Sequence, residues 1–139
     1  MGRNSYAMVE DPDTLAENYE FQVPIFVVTH QAPKRHPKEN EALTITFVTD
    51  GLESAVAQAK AAARDKDVTI IGAASTAQQV LKAGLADELQ VDIMPVLLCG
   101  GLRFFGDVCP EPVQLERLKV IEEPGGRTHL SFRILPERS

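Results

Sequence analysis

Two apolar stretches in the first half of the chain predict neighbouring buried strands. Pro24–Thr29 reads Pro-Ile-Phe-Val-Val-Thr, a continuous apolar run typical of a strand that is covered on both faces. A second run follows at Leu43–Thr49. The segment between them, from His30 to Glu41, holds two prolines and three basic residues, which predicts a loop within one domain.

Apolar periodicity and helix-capping sequences predict three helices. The longest follows a capping-box sequence at Asp50–Glu53 and continues to about Arg64. A second capping box, Ser75–Gln78, begins a helix that Gly84 is expected to end as a C-cap glycine. A short helix is predicted near residues 12–19, where a proline lies in the first turn.

The remaining strands complete the predicted sheet. Val68–Ile71 predicts a third buried strand, and Asp87–Met94 alternates polar and apolar residues as a half-exposed strand does. Leu115–Ile121 and Thr128–Leu135 flank a five- or six-residue turn and predict a hairpin. This order predicts an α/β fold with a mostly parallel mixed sheet and a C-terminal antiparallel hairpin.

Composition and charge narrow the possible partners. The chain has 139 residues, 44% of them hydrophobic and 24% charged, which fits a single globular domain over residues 1–139. A formal charge of −6 argues against nucleic acid or an anionic membrane as partner, because both require a basic face. No apolar run approaches the roughly 20 residues of a spanning helix, so we expect a cytoplasmic protein without membrane contact.

The cysteine, histidine and acidic residues show no spacing typical of a catalytic or metal site. Cys99 and Cys109 have neither a CxxC spacing nor a histidine cluster nearby, so we expect reduced thiols and no metal site. No serine or cysteine nucleophile is placed beside His129 by the sequence, so we expect no triad there. Asp87 and Glu88 point to opposite faces and do not form a shared-proton pair. The catalytic residues therefore stay unknown.

The junction that follows Ile71 is the first candidate ligand site. Where a buried strand runs into a capped helix, free backbone N–H groups and the positive end of the helix dipole lie at the same place. This arrangement favours the binding of a phosphate. The small residues of the junction also let the backbone approach a ligand closely. Since the sequence matches neither GxGxxG nor a P-loop, a tight turn that merely needs small residues is an equally good interpretation. The candidate residues are Gly72, Ala73, Ala74, Ser75 and Thr76.

A second candidate anion site combines Gly2 and Arg3 with Thr29 and His30. The guanidinium fork of an arginine matches a phosphate, and residues that follow a buried strand lie at the edge where α/β sheets bind ligands. The nearby Lys34-Arg35 pair could contribute to the same site. The alternative interpretation is a solvated loop with His30 as a turn residue.

Several segments resemble the C-terminal reductase domain of bifunctional riboflavin deaminase-reductases and their stand-alone dihydrofolate-reductase-like bacterial relatives. The resemblance covers essentially the whole chain. It is carried by Val-Thr-Ile-Ile-Gly-Ala-Ala-Ser at 68–75, Leu-Lys-Ala-Gly-Leu-Ala-Asp-Glu-Leu at 81–89, Met-Pro-Val-Leu-Leu at 94–98, Gly100, Phe104-Phe105, Met1-Gly2-Arg3 with Tyr6, Phe26–His30 and Thr128–Leu130.

The resemblance implies a three-layer dihydrofolate-reductase-like fold that binds NADPH over the carboxyl edge of its sheet. It implies that the pyrophosphate lies at Gly72–Thr76 and the adenosine phosphate near Arg3 and Thr29-His30. In such enzymes a hydride passes from the nicotinamide to a pterin-like or pyrimidine small molecule, while the protein supplies position and electrostatics.

Two departures from the family pattern qualify this resemblance. The family usually has two adjacent glycines where this chain has Gly72-Ala73, and the added Cβ would crowd a pyrophosphate. Relatives also carry a longer segment before the Met-Gly-Arg motif, including a strand that lines the substrate site. The comparison therefore implies an N-terminally truncated domain.

Three functional hypotheses follow. The first is an NADPH-dependent reductase, and the second is a non-catalytic nucleotide-binding or assembly module that keeps the fold without the substrate strand. The third is a generic α/β ligand-binding domain. We also expect a homodimer that uses the Glu88–Met94 strand or the terminal hairpin, because unpaired strand edges need cover.

Overall fold

The computed structural model describes residues 1–72, 74–106 and 111–136. The chain divides into two compact units, Met1–Gln79 and Val80–Ser139. The described strands form a two-stranded parallel sheet and a three-stranded antiparallel sheet, where the sequence predicted one mixed sheet. The α/β class and the terminal antiparallel hairpin are confirmed.

The first unit contains short helices around the parallel strand pair. The strands predicted at Pro24–Thr29 and Leu43–Thr49 and the long helix are confirmed. The helix expected near residues 12–19 consists of a 3₁₀ turn followed by one α-helical turn. A five-residue helix at the N-terminus was not predicted. The elements are α1 (Arg3–Ala7), the 3₁₀ turn (Pro12–Thr14), α2 (Leu15–Asn18), β1 (Ile25–Val28), β2 (Ile45–Val48), α3 (Leu52–Ala63) and the first part of α4 (Ala74–Lys82).

The core of the first unit lies on β1 and β2. The two strands pair in parallel, from Ile25 opposite Ile45 to Val28 opposite Val48. Alternate residues of each strand point to opposite faces, so Val27 is completely buried while its neighbours are half-buried. The core cluster consists of Leu15, Ile25, Val27, Leu43 and Ile45.

The predicted strand at Val68–Ile71 is wrong. The segment forms no strand, and its residues alternate between half-buried and exposed. Its apolar sequence indicated burial, but a strand also needs a ladder of backbone partners. Among the described residues, the backbone of this segment is joined to another region through Ile71, whose carbonyl accepts the Gly2 N–H at 3.3 Å.

Neither predicted capping box forms. The N-cap of α3 is Gly51, whose φ of 106° lies in the region that favours glycine, and no side chain caps this helix. Helix α4 begins at Ala74, so Ser75 lies inside its first turn. There the Ser75 hydroxyl accepts a hydrogen bond from Gln79 Nε2 at 3.1 Å.

Gly84 ends α4 as predicted. Its φ is +63°, its N–H donates to the Leu81 carbonyl at 3.1 Å, and the Leu85 N–H donates to the Val80 carbonyl at 3.0 Å. These two bonds form a Schellman motif, which satisfies carbonyl groups that the helix end leaves free.

The second unit is built on three antiparallel strands. They are β3 (Glu88–Ile93), β4 (Leu115–Glu122) and β5 (Thr128–Ile134), and β5 lies between the other two. The turn that joins β4 to β5 has Gly125 and Gly126 at positive φ. The half-exposed strand and the hairpin are thus confirmed.

Two further properties concern the surface. None of the helices in the described ranges has the length and apolar composition that a bilayer-spanning segment needs. Cys99 is a free, exposed thiol, and Cys109 lies outside the described residues.

We predict that Gly84→Ala lowers the free energy of unfolding by about 1 kcal/mol, because an L-residue at this positive φ is strained. Gly100→Ala is the matched control, since neither glycine has an atom within 4 Å of an added Cβ and Gly100 has no positive φ. Urea unfolding of both variants provides the test. Equal stability of the two would contradict the role of Gly84.

Candidate functional site

The backbone of Met1 and Gly2 lies beside the carboxyl end of β1. The Val28 N–H donates to the Met1 carbonyl at 3.0 Å, and Gly2 forms a parallel bridge with Val28. On its other side, Gly2 is bonded to the Ile71 carbonyl. Gly2 therefore lies between the end of β1 and the residue that precedes Gly72.

Two cationic groups flank this backbone, and they differ in availability. The Met1 ammonium donates to the Phe26 carbonyl at 2.7 Å, and burial lowers the pKa of this amino group. Arg3 is the first residue of α1 and is exposed. Its guanidinium forms no hydrogen bond or ion pair with the residues that the structure describes, so it is available to a ligand.

The side chain of Thr76 packs against two glycines. A Cβ added to Gly72 would lie 2.8 Å from Thr76 Cβ and 3.1 Å from Thr76 Oγ1. A Cβ added to Gly2 would overlap Thr76 Oγ1 and lie 3.4 Å from Thr76 Cβ. Because neither position has room for a side chain, the N-terminal segment, residue 72 and the first turn of α4 approach one another closely.

Thr29 and His30 follow β1 at the same end of the strand. The Thr29 N–H donates to the Val48 carbonyl at 3.1 Å, which extends the β1–β2 ladder by one residue. The Thr29 hydroxyl donates to the Gln31 carbonyl at 2.9 Å, so it stabilises its own turn. His30 is exposed.

The structure thus brings together the backbones of both predicted anion sites. Gly2 forms a bridge with Val28, and both Gly2 and Gly72 pack on Thr76. Arg3 directly follows Gly2 in the chain. Ala74 and Ser75 lie in the first turn of α4, where backbone N–H groups lack helical partners. Ala73 lies outside the described residues. This arrangement is able to bind an anion at the helix N-terminus.

Arg35 is less available than its sequence suggested. Its guanidinium pairs with Asp13, and the other oxygen of this carboxylate accepts the Lys38 N–H at 2.9 Å. The bond from the Lys38 backbone, followed by the hydrogen bond and charge of Arg35, lowers the pKa of Asp13. Lys34 is exposed and forms no ion pair with the described residues. Of the cations considered for the two predicted anion sites, Arg3 and Lys34 therefore form no ion pair with the described residues.

The sequence did not indicate a serine beside His129, but the structure places Ser131 there. His129 Nδ1 lies 2.6 Å from Asp92 Oδ1, and His129 Nε2 lies 3.2 Å from the Ser131 hydroxyl. Since a carboxylate only accepts, we assign the proton of the neutral ring to Nδ1, so that Nε2 accepts from Ser131. Asp92 is the register partner of His129, and Ser131 lies two residues further along the same strand. The two-residue period could have indicated that His129 and Ser131 share a face, whereas Asp92 joins them through the β3–β5 register.

The Asp92–His129–Ser131 cluster is better suited to stabilising the sheet than to nucleophilic catalysis. Ser131 is only 8% exposed, on the central strand of its sheet. The strand's backbone groups pair on both sides, so they are not free to stabilise an oxyanion. Arg127 lies 3.6 Å from Asp92 Oδ2 and also binds Glu123, which extends the cluster towards the β4–β5 turn.

A family-level similarity covers most of the chain. Residues 10–128 match the family described as the RibD C-terminal domain. The chain belongs to this family. The matched range contains Thr29, His30 and the 72–76 junction, whereas Gly2 and Arg3 precede it. No curated protein is significantly similar to the chain in sequence.

Two solved structures share the fold of this RibD C-terminal domain. A protein from Shewanella sp. PV-4, named as a riboflavin biosynthesis protein, is 22% identical with a TM-score of 0.74. That match covers 98% of this chain and 72% of the other. A pyrimidine reductase-like protein from Corynebacterium diphtheriae is 17% identical with a TM-score of 0.55. That match covers 82% of this chain and 50% of the other. At these identities the likeness shows the fold alone.

For this RibD C-terminal domain, we predict that Gly2→Ala lowers the free energy of unfolding by about 1–3 kcal/mol, because the new methyl group overlaps Thr76 Oγ1. Adding Thr76→Ala removes this oxygen and should restore most of the loss. The same addition should not rescue Gly72→Ala, since Thr76 Cβ at 2.8 Å remains. Denaturant unfolding of the single and double variants measures the coupling, and equal rescue of both glycine variants would contradict the described packing.

Proposed function

We propose that the chain acts as an NADPH-dependent reductase that transfers a hydride to a pyrimidine- or pterin-like small molecule. Family membership and the reductase-like structural neighbour support this function. The observation that carries the proposal is the close packing of Gly2 and Gly72 on Thr76. It holds the backbone of Gly2 and Gly72 against the first turn of α4, whose free N–H groups would face the phosphates of a dinucleotide.

The residues at this site fit the phosphate groups of the cofactor. Gly72 and the N–H groups of Ala74, Ser75 and Thr76 would hold the pyrophosphate at the positive end of α4. NADPH supplies the hydride when it is bound. The contribution of this chain is to orient the nucleotide at the carboxyl end of β1, in the three-layer arrangement that the family resemblance implies.

The preference for NADPH over NADH rests on Arg3. We propose that the Arg3 guanidinium, with Thr29 and His30 nearby, meets the extra phosphate of NADPH. Lys34 adds positive charge, whereas Arg35 is already paired with Asp13. The overall charge of −6 provides no general attraction for an anion, so the preference depends on these local cations.

We predict that NADPH binds more tightly than NADH, and that Arg3→Ala weakens NADPH by about tenfold or more while it changes NADH little. This estimate corresponds to the loss of one charge-assisted hydrogen bond to phosphate. Arg117→Ala, an exposed arginine of the other unit, is the charge-matched control. Calorimetric titration measures the affinities. Equal affinity of the wild-type chain for the two nucleotides would contradict the proposal.

Turnover distinguishes the reductase from the alternative, a non-catalytic nucleotide-binding or assembly module. The decisive measurement is NADPH oxidation by the wild-type chain in the presence of a pyrimidine or dihydrofolate substrate. Turnover above the substrate-free rate supports the reductase. Tight NADPH binding without turnover of either substrate assigns the chain to the non-catalytic class.

We further propose that the second unit associates with a second copy of the chain. The outer edges of β3 and β4 have no partner strand among the described residues. Several apolar side chains of the same unit are fully or largely exposed: Leu97 at 91%, Leu102 at 90% and Leu98 at 80%. Unpaired strand edges and apolar surface of this kind favour association.

We predict a dimer at micromolar concentration and its dissociation by the double variant Leu97→Glu/Leu102→Glu, since two buried charges would oppose association. Met8→Glu is the matched control, because Met8 is 82% exposed in the first unit. Sedimentation velocity measures the oligomeric state. A wild-type monomer would contradict this part of the proposal.

A further inference from the structure

The backbone N–H and carbonyl of Ile45 lie on the edge of β2 that faces away from β1. The Thr44 carbonyl accepts the Ile25 N–H at 2.7 Å, and the Val48 carbonyl accepts the Thr29 N–H, so these carbonyls face β1. Peptide groups alternate in direction along a strand, so both the N–H and the carbonyl of Ile45 face away from β1. Such groups need another partner.

Two side chains of the preceding loop bind both of these groups. Glu39 Oε1 accepts the Ile45 N–H at 2.5 Å. His36 Nε2 lies 2.8 Å from the Ile45 carbonyl oxygen. The loop thereby covers an edge that a neighbouring strand covers in a wider sheet.

The ring of His36 lies between two hydrogen-bond acceptors. Its Nδ1 is 2.9 Å from the Pro37 carbonyl oxygen, while Nε2 faces the carbonyl of Ile45. A neutral imidazole has one N–H, whereas an imidazolium has two, so only the protonated ring donates both bonds. Glu39 Oε1, 3.7 Å from Nε2, favours the same charge. The ring also packs edge to face on Phe47, with centroids 5.7 Å apart.

We propose that His36 is a pH-dependent contact: its imidazolium donates to two carbonyls and holds residues 36–39 against Ile45, and loss of the proton leaves one donor for two acceptors and loosens these residues from the edge of β2. The release is local, because other bonds hold the rest of the loop. Asp13 accepts the Lys38 N–H, and Asn40 Nδ2 donates to the Ala16 carbonyl at 2.7 Å. The contact is independent of what the N-terminus of α4 binds.

The other charged groups around His36 do not strongly oppose the positive charge of its protonated ring. Within the loop, Glu39 Oε1 lies 3.7 Å from His36 Nε2, and the positive charge of Arg35 is matched by Asp13. Lys34 and Lys38 are exposed, so water and salt screen their repulsion. From α1, Tyr6 packs on the same Phe47 ring and is neutral near pH 7.

The direction of the pH effect follows from these contacts. The Pro37 carbonyl, opposed by partial burial and assisted by the Ile45 carbonyl and Glu39, raises the pKa of His36 above its usual value of 6.5. A group whose folded pKa is raised contributes fully to stability below its unfolded pKa, and this contribution is lost as the pH rises through the folded pKa. The contact should therefore open above pH 6.5.

Two measurements on the full chain test this contact from about pH 5.5 to 8.5. An NMR titration of the three histidine rings should give His36 a midpoint above 6.5. Hydrogen exchange of the Ile45 amide, divided by its intrinsic rate, should show a severalfold loss of protection over the same pH range. A His36 midpoint at or below 6.5 overturns the proposal.

Three variants separate the charge from the packing. In His36→Gln, which does not titrate, protection of the Ile45 amide should not change with pH. Glu39→Gln keeps an oxygen acceptor for the Ile45 N–H but removes the charge, so the His36 midpoint should fall. His129→Gln, in the other unit, should leave both readouts unchanged. If the wild-type pH dependence of Ile45 protection persists in His36→Gln, the contact does not depend on His36 and the proposal is wrong.

Discussion

The candidate site depends on one steric constraint, the packing of Thr76 against Gly2 and Gly72. The two glycines come from opposite ends of the first unit's sequence, and neither has room for a Cβ. Because the two glycines have no side chain, the Gly2 N–H reaches the Ile71 carbonyl and the first turn of α4 lies beside the end of β1. The position of Arg3 at the site follows from this packing, since Arg3 directly follows Gly2.

Elements with a clear local pattern were predictable from the sequence. The apolar run of β1, the helical period of α3 and the two-residue period of β3 and the hairpin each report which face of an element is buried. The Val68–Ile71 segment shows the limit of this reasoning. Three of its four residues are apolar, yet a strand also requires a backbone partner that the local sequence does not reveal.

The candidate site was predictable in its residues but not in their contacts. Glycines before a helix and an arginine near the N-terminus indicated an anion site, and the structure brings their backbones together. The pairing of Arg35 with Asp13 and the Asp92–His129–Ser131 cluster were missed. Arg35 and Asp13, like His129 and Asp92, are far apart in sequence, so their proximity depends on tertiary pairing rather than on local spacing.

The turn between β4 and β5 has a consequence for the order in which the chain folds. Arg127 binds Glu123 through two nitrogens, and the Glu123 N–H donates to the Arg127 carbonyl at 2.9 Å. These contacts close a short loop, whereas the pairing of Ile25 with Ile45 must close a much longer one. Loop closure costs more entropy as the loop lengthens, and local hairpins form within microseconds. We therefore expect the hairpin to form early and the parallel sheet to set the overall folding rate.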